Sequence, residues 1–429
     1  MGLALLLIVV FFILLLSGLP AAFAMGLSTI VYFVFDRGLS EIPLDVIASN
    51  MISGVNSFQL MIIPLFYLLG HIMNESKIGE RIFDFANALV GHFRGGLGIV
   101  NVLVSMMFAG MSGSGSADAA GLGQLEIKAM RDRGYDDKYS VGVTAGSSLI
   151  GPIIPPSIAG VLFAIMAGES VTDILIAGLI PGILMGIFMI ILAIILVPPN
   201  YEKQEKSSLS VVWSTFKRAF LPMLTPVILL GGILSGIFTA TESAAVASIY
   251  AIVLSCIIYR SLSLKGLWNV IKHVSIASSS IMFILASAHV FSWVLTRSRI
   301  PMETAELISE IAPNAVIALL LIGIFLIVIG CFLPVAASIV IAVPILVPVA
   351  ADFGIDPLAF GIFVILLLVV GEATPPFGMV LFIIAKISKV PYLKVARSVI
   401  PFLLVVIAVA ILVVIFPALA NLLPSFIST

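Results

Sequence analysis

Charged side chains are almost absent from the long apolar stretches of this 429-residue chain. Of its 21 basic and 22 acidic residues, only Asp118, Glu242 and Glu372 fall inside such stretches; the rest lie in the connectors. Hydrophobic residues make up 61% of the sequence and charged residues 10%, whereas a soluble domain carries about 25% charged residues. The sequence therefore predicts an all-α polytopic membrane protein. The net charge of -1 excludes an electrostatic case for nucleic acid.

Lys and Arg identify the cytoplasmic connectors, because positive residues stay on that side of a membrane. Eighteen of the 21 fall in five connectors, and four other connectors are poor in them. The five predicted cytoplasmic connectors are 74–94, 126–138, 200–218, 260–272 and 386–397, and the four predicted outer ones are 36–57, 168–173, 297–312 and 351–357. This pattern predicts that both chain termini are periplasmic.

Two apolar stretches lie between connectors of the same charge and must therefore enter and leave the membrane on one face. Residues 95–127 lie between two basic connectors, and residues 313–350 lie between two acidic ones. We predict two re-entrant hairpins. The first opens to the cytoplasm and has a Gly/Ser tip, and the second opens outward.

The second half of the chain repeats the first at an offset of 220 residues. This offset carries Gly151 onto Gly371 and Pro155-Pro156 onto Pro375-Pro376. It also carries a basic connector onto an acidic one, so we expect the two copies to have opposite orientations. Single matches of Gly or Pro arise by chance, but a shared offset combined with charge inversion does not. Inverted repeats with interrupted helices are typical of secondary transporters.

The first copy contains a Gly/Ser-rich tip followed by a proline-rich interruption. The tip supplies hydroxyls and a carboxylate, and the interruption frees backbone carbonyls; oxygen ligands of this kind suit a hard cation such as sodium. Two alternatives are a small-residue packing face with Asp118 as a helix cap, and a simple proline kink. The predicted first sodium site comprises Ser112, Gly113, Ser114, Ser116, Asp118, Gly146, Ile150 and Pro152.

The second copy has the matching interruption and tip, and the sequence predicts a second cation site there. Glu372 is open to three interpretations, as a ligand, a proton carrier or a buried partner. Glu242 follows Thr239-Ala240-Thr241, which also indicates a helix start, so it is either a functional acid or a cap. The predicted second sodium site comprises Gly330, Pro334, Gly371, Glu372, Thr374 and Pro376.

These motifs resemble the large membrane subunit of tripartite ATP-independent periplasmic (TRAP) transporters over nearly the whole chain. The most specific matches are the tip at 110–118, Gly-Pro-Ile-Ile-Pro-Pro-Ser at 151–157, Gly-Ile-Phe-Thr-Ala-Thr-Glu-Ser at 236–243 and Thr-Pro-Pro-Phe-Gly at 374–378. The chain departs from the family in two places. Pro334 stands where an aspartate is common, and Glu372 stands where members are usually apolar.

The resemblance implies a sodium-driven importer of organic acids such as sialic acid, dicarboxylates or sugar acids, in a bacterial inner membrane. Its implied partners are a small four-helix membrane subunit and a soluble periplasmic binding protein. Its implied ions are two or more sodium ions, with no organic cofactor and no enzymatic activity. By analogy, the substrate lies near Ser147, Ser157, Ser338 and Gly378.

The resemblance also implies an elevator mechanism, in which hairpins and broken helices move against a scaffold. The expected division is scaffold spans and an arm helix (1–94), first hairpin and broken helix (95–166), closing span and connector (167–218), linking and scaffold spans (219–312), second hairpin and broken helix (313–385), and final span (386–429). The alternatives are a stand-alone anion symporter that needs no binding protein, a channel, and an intramembrane hydrolase using Ser112 or Ser114 with Asp118.

Overall fold

The computed structural model describes residues 2–426, and these residues form helices without any strand. Within this range seven helices are long and apolar enough to cross a membrane. Leu44–Val55 and Phe58–Glu75 form an eighth candidate span that is bent by 57°. The prediction of an all-α polytopic membrane protein is confirmed.

Twelve helices precede the long connector near residue 200, and ten follow it in the described part of the chain. The first twelve are α1 Gly2–Leu16, α2 Ala21–Arg37, α3 Leu44–Val55, α4 Ile62–Glu75, α5 Ile78–Val90, α6 Gly96–Ser112, α7 Gly115–Gly121, α8 Gly123–Arg131, α9 Asp137–Ser148, α10 Ile158–Ala167, α11 Val171–Ala177 and α12 Leu179–Ile195. The other ten are α13 Leu209–Leu234, α14 Ala240–Ile252, α15 Leu264–Arg297, α16 Ile300–Ile311, α17 Ala315–Phe332, α18 Val335–Asp352, α19 Pro357–Glu372, α20 Met379–Ser388, α21 Tyr392–Ile415 and α22 Ala418–Ser425.

The arm helix α5 buries one face and exposes the other. Its buried positions include Ile78, Ile82 and Phe85, which recur at helical spacing, and it packs against α6 and α13. An amphipathic helix of this kind lies beside the spans and links them. It lies within the range 1–94 in which the arm helix was expected, and its role as part of a scaffold stays a prediction.

The order of helices repeats at the offset found in the sequence. The second leg of the first hairpin begins at Gly115 and that of the second hairpin at Val335; the broken helices begin at Asp137 and Pro357. Helix α10 of the first copy packs against α18 of the second, and α20 of the second packs against α7 of the first. Each broken helix therefore contacts the hairpin of the other copy. The opposite orientation of the copies and the division into moving and fixed units stay predictions.

The legs of the second hairpin are longer than the hairpin interpretation requires. Helices α17 and α18 have 18 residues each, which corresponds to about 27 Å, close to the hydrocarbon thickness of a bilayer. Both are apolar enough to count as spans by length and composition. Re-entrant insertion of this hairpin stays a prediction.

Close packing joins the two copies in the core. Gly361 of α19 has no side chain, and the ring of Phe163 from α10 fills the space: a Cβ at position 361 would lie 2.5 Å from Phe163 Cε1. Phe163 also meets the ring of Phe360, with ring centroids 6.4 Å apart. Helices in lipid associate through such packing, because lipid tails are as apolar as their side chains.

Candidate functional site

The first hairpin turns at Gly113, between α6 and α7. Gly113 has a φ of +63°, in the left-handed region that favours glycine. A Cβ at this position would overlap the carbonyl oxygen of Pro156 in the interruption between α9 and α10. The turn therefore needs glycine for its backbone conformation and for its contact with the broken helix.

Two further contacts hold the first tip against the first interruption. A Cβ on Gly115 would lie 2.8 Å from the Ser148 carbonyl oxygen, and one on Gly151 would lie 3.0 Å from the Ser114 carbonyl oxygen. Backbone thus meets backbone at both positions. The structure brings together the tip and interruption that the sequence predicted to share a cation site.

The tip carries three hydroxyls in two different situations. Ser112 is buried, and its Oγ has no hydrogen-bond partner among the described residues. Ser114 Oγ caps α7 by accepting a 3.4 Å hydrogen bond from the Ala117 amide, and it lies 3.0 Å from Ser116 Oγ. Ser114, and not Asp118, is therefore the cap of α7. A buried hydroxyl without a partner is costly to maintain.

Asp118 is buried inside α7, close to Ser105 of α6. Its Oδ1 has no hydrogen-bond partner among the described residues. Other predicted members of the first site lie further away from the tip. Gly146 faces the ring of Phe402 on α21, and the Ile150 carbonyl accepts hydrogen bonds from the amides of Ile153 and Ile154.

A buried polar network joins α6 to α9 behind the tip. Ser147 Oγ donates a 2.6 Å hydrogen bond to Asn101 Oδ1, and Asn101 Nδ2 donates a 2.7 Å bond to Thr144 Oγ1. Ser105 Oγ donates a 3.1 Å bond to Ser147 Oγ. Ser147, predicted near the substrate, is thus occupied within this network. Asn101 and Thr144 gave no signal in the sequence, because isolated polar residues recur on many helices.

The second tip meets the second interruption through two glycines. A Cβ on Gly330 would lie 3.1 Å from Gly371 Cα and 2.8 Å from the Leu368 carbonyl oxygen. Thr374 Oγ1 donates a 2.6 Å hydrogen bond to the Val370 carbonyl oxygen. The predicted partners Gly330, Gly371 and Thr374 are thus brought together, although the threonine hydroxyl is already bonded to backbone.

The remaining predicted residues of the second copy occupy the ends of helices. Pro334 is the N-cap of α18, and Gly378, with a φ of +28°, is the N-cap of α20. The Pro376 carbonyl oxygen accepts a 3.1 Å hydrogen bond from Tyr392 Oη. Ser338 is fully buried, with its Oγ 3.5 Å from the Leu333 carbonyl oxygen.

A cavity of about 260 Å³ lies where the two tips and the two broken helices meet. This volume lies just below the usual range of ligand pockets, about 300–1,000 Å³. One further wall comes from α4, through Tyr67. The lining residues are Tyr67, Gly113, Ser114, Gly115, Ser116, Pro152, Ile158, Ala159, Pro334, Val335, Ala336, Glu372 and Met379.

Several predicted site residues lie outside this lining. Ser157 caps α10 by accepting a hydrogen bond from the Gly160 amide, and its hydroxyl donates to the Pro152 carbonyl oxygen. Its side chain is therefore committed to holding the interruption in shape. Tyr67, in contrast, lines the cavity without having been predicted. An aromatic residue in an apolar helix gives no sequence signal of its own.

The three acids predicted to lie inside apolar stretches have different environments. Glu372 is 7% exposed and lines the cavity, whereas Glu242 is exposed and completes a capping box with Thr239 at the start of α14. The structure thus supports the cap interpretation of Glu242. Glu126, which the sequence analysis assigned to a connector, is 2% exposed in α8, with an Oε1 that has no described partner.

Comparison with known proteins identifies one family. The sequence matches the family model described as "Tripartite ATP-independent periplasmic transporter, DctM component" over residues 8–419. Three similar relatives are SiaM, the sialic acid TRAP transporter large permease protein of Vibrio cholerae; YiaN, the 2,3-diketo-L-gulonate TRAP transporter large permease protein of Escherichia coli; and DctM, the C4-dicarboxylate TRAP transporter large permease protein of Rhodobacter capsulatus. Their identities are 39%, 33% and 31%, and the matches cover 96%, 94% and 96% of this chain and the same shares of theirs.

Two solved transporter structures share the fold at low sequence identity. The YdaH transporter of Alcanivorax borkumensis superposes with a TM-score of 0.60 at 14% identity, covering 89% of this chain and 90% of its own. MtrF of Neisseria gonorrhoeae superposes with a TM-score of 0.61 at 13% identity, covering 89% of this chain and 86% of its own. At these identities the likeness extends to the fold alone.

Proposed function

Because the chain belongs to the DctM component family of TRAP transporters, we propose that it is the permease subunit of a sodium-coupled importer of organic acids. The observation that carries the proposal is the cavity that both tips and both broken helices line. In secondary transporters, substrate and coupling ions bind where discontinuous helices of two repeats meet. A single cavity between four interrupted elements fits that arrangement.

We assign the partners and the location from the family. A small four-helix membrane subunit pairs with this chain in the bacterial inner membrane. A soluble periplasmic protein delivers the substrate to this complex. The relatives named above are described as permeases for sialic acid, a diketo sugar acid and C4-dicarboxylates. What these solutes share is a carboxylate, so the proposed substrate class is an organic acid.

The first tip has the donor set that a sodium ion needs. Ser112 offers a buried hydroxyl without a described partner, and Ser114 and Ser116 add two more hydroxyls that lie 3.0 Å from each other. Hard cations prefer oxygen ligands of this kind. We propose that sodium binds between this tip and the interruption at residues 149–157. When bound, the ion would hold the tip against the broken helix.

The second proposed ion site is built mainly from backbone. Gly330 and Gly371 bring two chain segments into contact, and Thr374 lies three residues beyond. Backbone carbonyls at broken helices coordinate sodium in other transporters. This half has fewer side-chain oxygens than the first, so we expect weaker ion binding here.

Ion and solute occupancy would support one another, because both stabilise contacts between the tips and the broken helices. Such coupling is reciprocal and typically amounts to about 1–3 kcal/mol. Sodium would therefore raise solute affinity, and solute would raise sodium affinity by the same factor. We propose that the loaded hairpins and broken helices then move together against the remaining helices, as in an elevator.

The test is sodium-dependent uptake into proteoliposomes that contain this chain, its small subunit and its binding protein. For Ser114→Ala we expect the sodium concentration for half-maximal uptake to rise about tenfold, the effect of losing about 1.4 kcal/mol of ligand energy. Ser170→Ala is the matched control. Ser170 also caps a short helix, by accepting a 3.2 Å bond from the Asp173 amide, but it lies outside the cavity.

Unchanged sodium dependence in Ser114→Ala would contradict the first ion site. Uptake that proceeds at full rate without the binding protein would favour the stand-alone symporter instead. No histidine or lysine is among the cavity-lining residues, so a hydrolase based on Ser114 would lack the bases that usually activate a serine hydroxyl.

A further inference from the structure

The cavity contains one charged side chain, and that side chain is an acid. Among its lining residues, Glu372 is the sole Asp, Glu, Lys, Arg or His. An organic acid that brings only carboxylates would therefore meet a carboxylate without any basic side chain to offset it. Two like charges repel each other more strongly in a protein interior than in water, because the dielectric constant there is lower.

Glu372 has no partner that would make it a structural residue. The Glu372 side chain forms no hydrogen bond or ion pair with another residue in the described range 2–426, and the residue is only 7% exposed. It is also the last residue of α19, where the helix dipole adds partial negative charge. This side of the cavity is thus a negative pole that the protein itself does not neutralise.

The cavity lining also contains a positive pole made from backbone. Val335 and Ala336 line the cavity in the first turn of α18, whose N-cap Pro334 provides no side-chain cap. Ile158 and Ala159 line it in the first turn of α10. Amides in a first helical turn have no intrahelical acceptor, so they favour an anionic group.

Tyr67 adds an aromatic surface beside the acid. It lines the same cavity as Glu372. An aromatic ring next to a carboxylate is a common arrangement for binding ammonium groups. The cavity lining thus contains an acid, an aromatic ring and the first turns of two helices.

We propose that the solute carried through this cavity is a zwitterion, an organic acid that also bears a positively charged nitrogen. Glu372 pairs with the nitrogen, beside the ring of Tyr67, and the first turns of α18 and α10 hold the carboxylate. The cavity volume of about 260 Å³ limits the solute to a compact molecule. The inference rests on the proposed function, because it assumes that this cavity is the substrate site.

The test measures binding to the purified complex of this chain with its small subunit, so that the binding protein does not impose its own selectivity. The probes are pairs that differ in the charged nitrogen: glycine betaine and its carbon isostere tert-butylacetate, aspartate and succinate, and glucosaminate and gluconate. Binding is read as competition or as ligand-induced thermal stabilisation at saturating sodium. We expect the wild-type complex to prefer the zwitterion of at least one pair by about tenfold or more.

Glu372→Gln should abolish that preference, whereas Glu372→Asp should retain part of it. Glu126→Gln is the matched control, since Glu126 is equally buried but lies outside the cavity; it should leave the preference unchanged. Continued binding of the plain acid by Glu372→Gln shows that its loss of preference is not a folding defect.

Three results would overturn the inference. The first is equal or better binding of the plain acid in every pair, and the second is failure of every zwitterion to bind up to its solubility limit. The third is a Glu372→Gln variant in which binding of the zwitterion and of the plain acid weakens equally and the sodium dependence of binding weakens as well. That behaviour would mark Glu372 as an ion or proton site. Sodium-driven uptake of a plain acid would leave the proposed function standing, whereas absence of any sodium-dependent uptake would contradict both.

Discussion

The two hairpin tips are equivalent in the repeat, yet one is polar and the other apolar. Residues 112–116 read Ser-Gly-Ser-Gly-Ser, and the residues at 332–336 read Phe-Leu-Pro-Val-Ala. In the interruptions the second copy is the polar one, because Pro152 of the first copy corresponds to the acid Glu372 of the second. Duplication preserved the backbone breaks while the side chains around them diverged.

This difference shows which part of each copy the shared architecture requires. The breaks at Gly151 and Pro155-Pro156 recur as Gly371 and Pro375-Pro376, because these residues allow backbone to approach backbone. The glycines and serines at residues 112–116 do not recur. In our account the first copy provides the hydroxyls for sodium, and the second copy provides the acid that faces the solute.

The largest difference between the copies should appear when the glycine that holds each hairpin against its interruption is replaced, Gly113 in the first copy and Gly330 in the second. In Gly113→Ala the new methyl group enters a left-handed backbone conformation and overlaps the Pro156 carbonyl, at a combined cost of about 3 kcal/mol. We expect uptake to fall about a hundredfold. For Gly330→Ala, which has no positive φ, we expect a fall of about tenfold.

Gly231→Ala provides the control, because a Cβ there meets nothing within 4 Å. It should fold and transport as the wild type does, as judged by gel filtration and proteoliposome uptake. Equal losses for Gly113→Ala and Gly330→Ala would remove the proposed asymmetry between the tips.

A smaller effect should appear behind the tips, where Glu126 corresponds to Leu346 in the second copy. Both side chains are buried, but Glu126 Oε1 has no described partner. Such an unpaired polar atom costs about 1–3 kcal/mol. Glu126→Leu should therefore raise the Tm of the detergent-solubilised protein by about 1–4 °C, and Leu346→Glu should lower it. A lower Tm for Glu126→Leu would show that the acid has a partner that stabilises the fold.

The elements of the fold followed from the sequence because breaks and charges have strong local signals. Gly18 and Pro20 separate α1 from α2, and the Pro-Pro pairs lie within the interruptions of the broken helices. Each of these residues acts through its own backbone, so its effect is visible without knowledge of its neighbours. The tips and interruptions of the candidate site were predictable for the same reason.

The remaining parts of the site depend on contacts between distant segments, which a local pattern does not contain. Glu126 lies two residues from Lys128, so it appeared to belong to a solvated basic connector, although tertiary packing buries it. Tyr67 lies in an apolar helix far from the tips in sequence, and Asn101 lies in the first leg of the first hairpin but bonds to residues of α9. Ser157 was predicted near the substrate from its position at a helix start, yet its hydroxyl is bonded to backbone.

The most direct test of the account is the sidedness of two equivalent connectors. In a background in which Cys256 and Cys331 are replaced by serine, single cysteines are introduced at the exposed positions Asp132 and Asp352 and labelled with a membrane-impermeant thiol reagent. The account predicts that Asp132→Cys reacts only from the cytoplasmic side and Asp352→Cys only from the periplasmic side. Labelling of both from the same side would contradict the inverted repeat, and with it the convergence of two oppositely oriented halves on one substrate cavity.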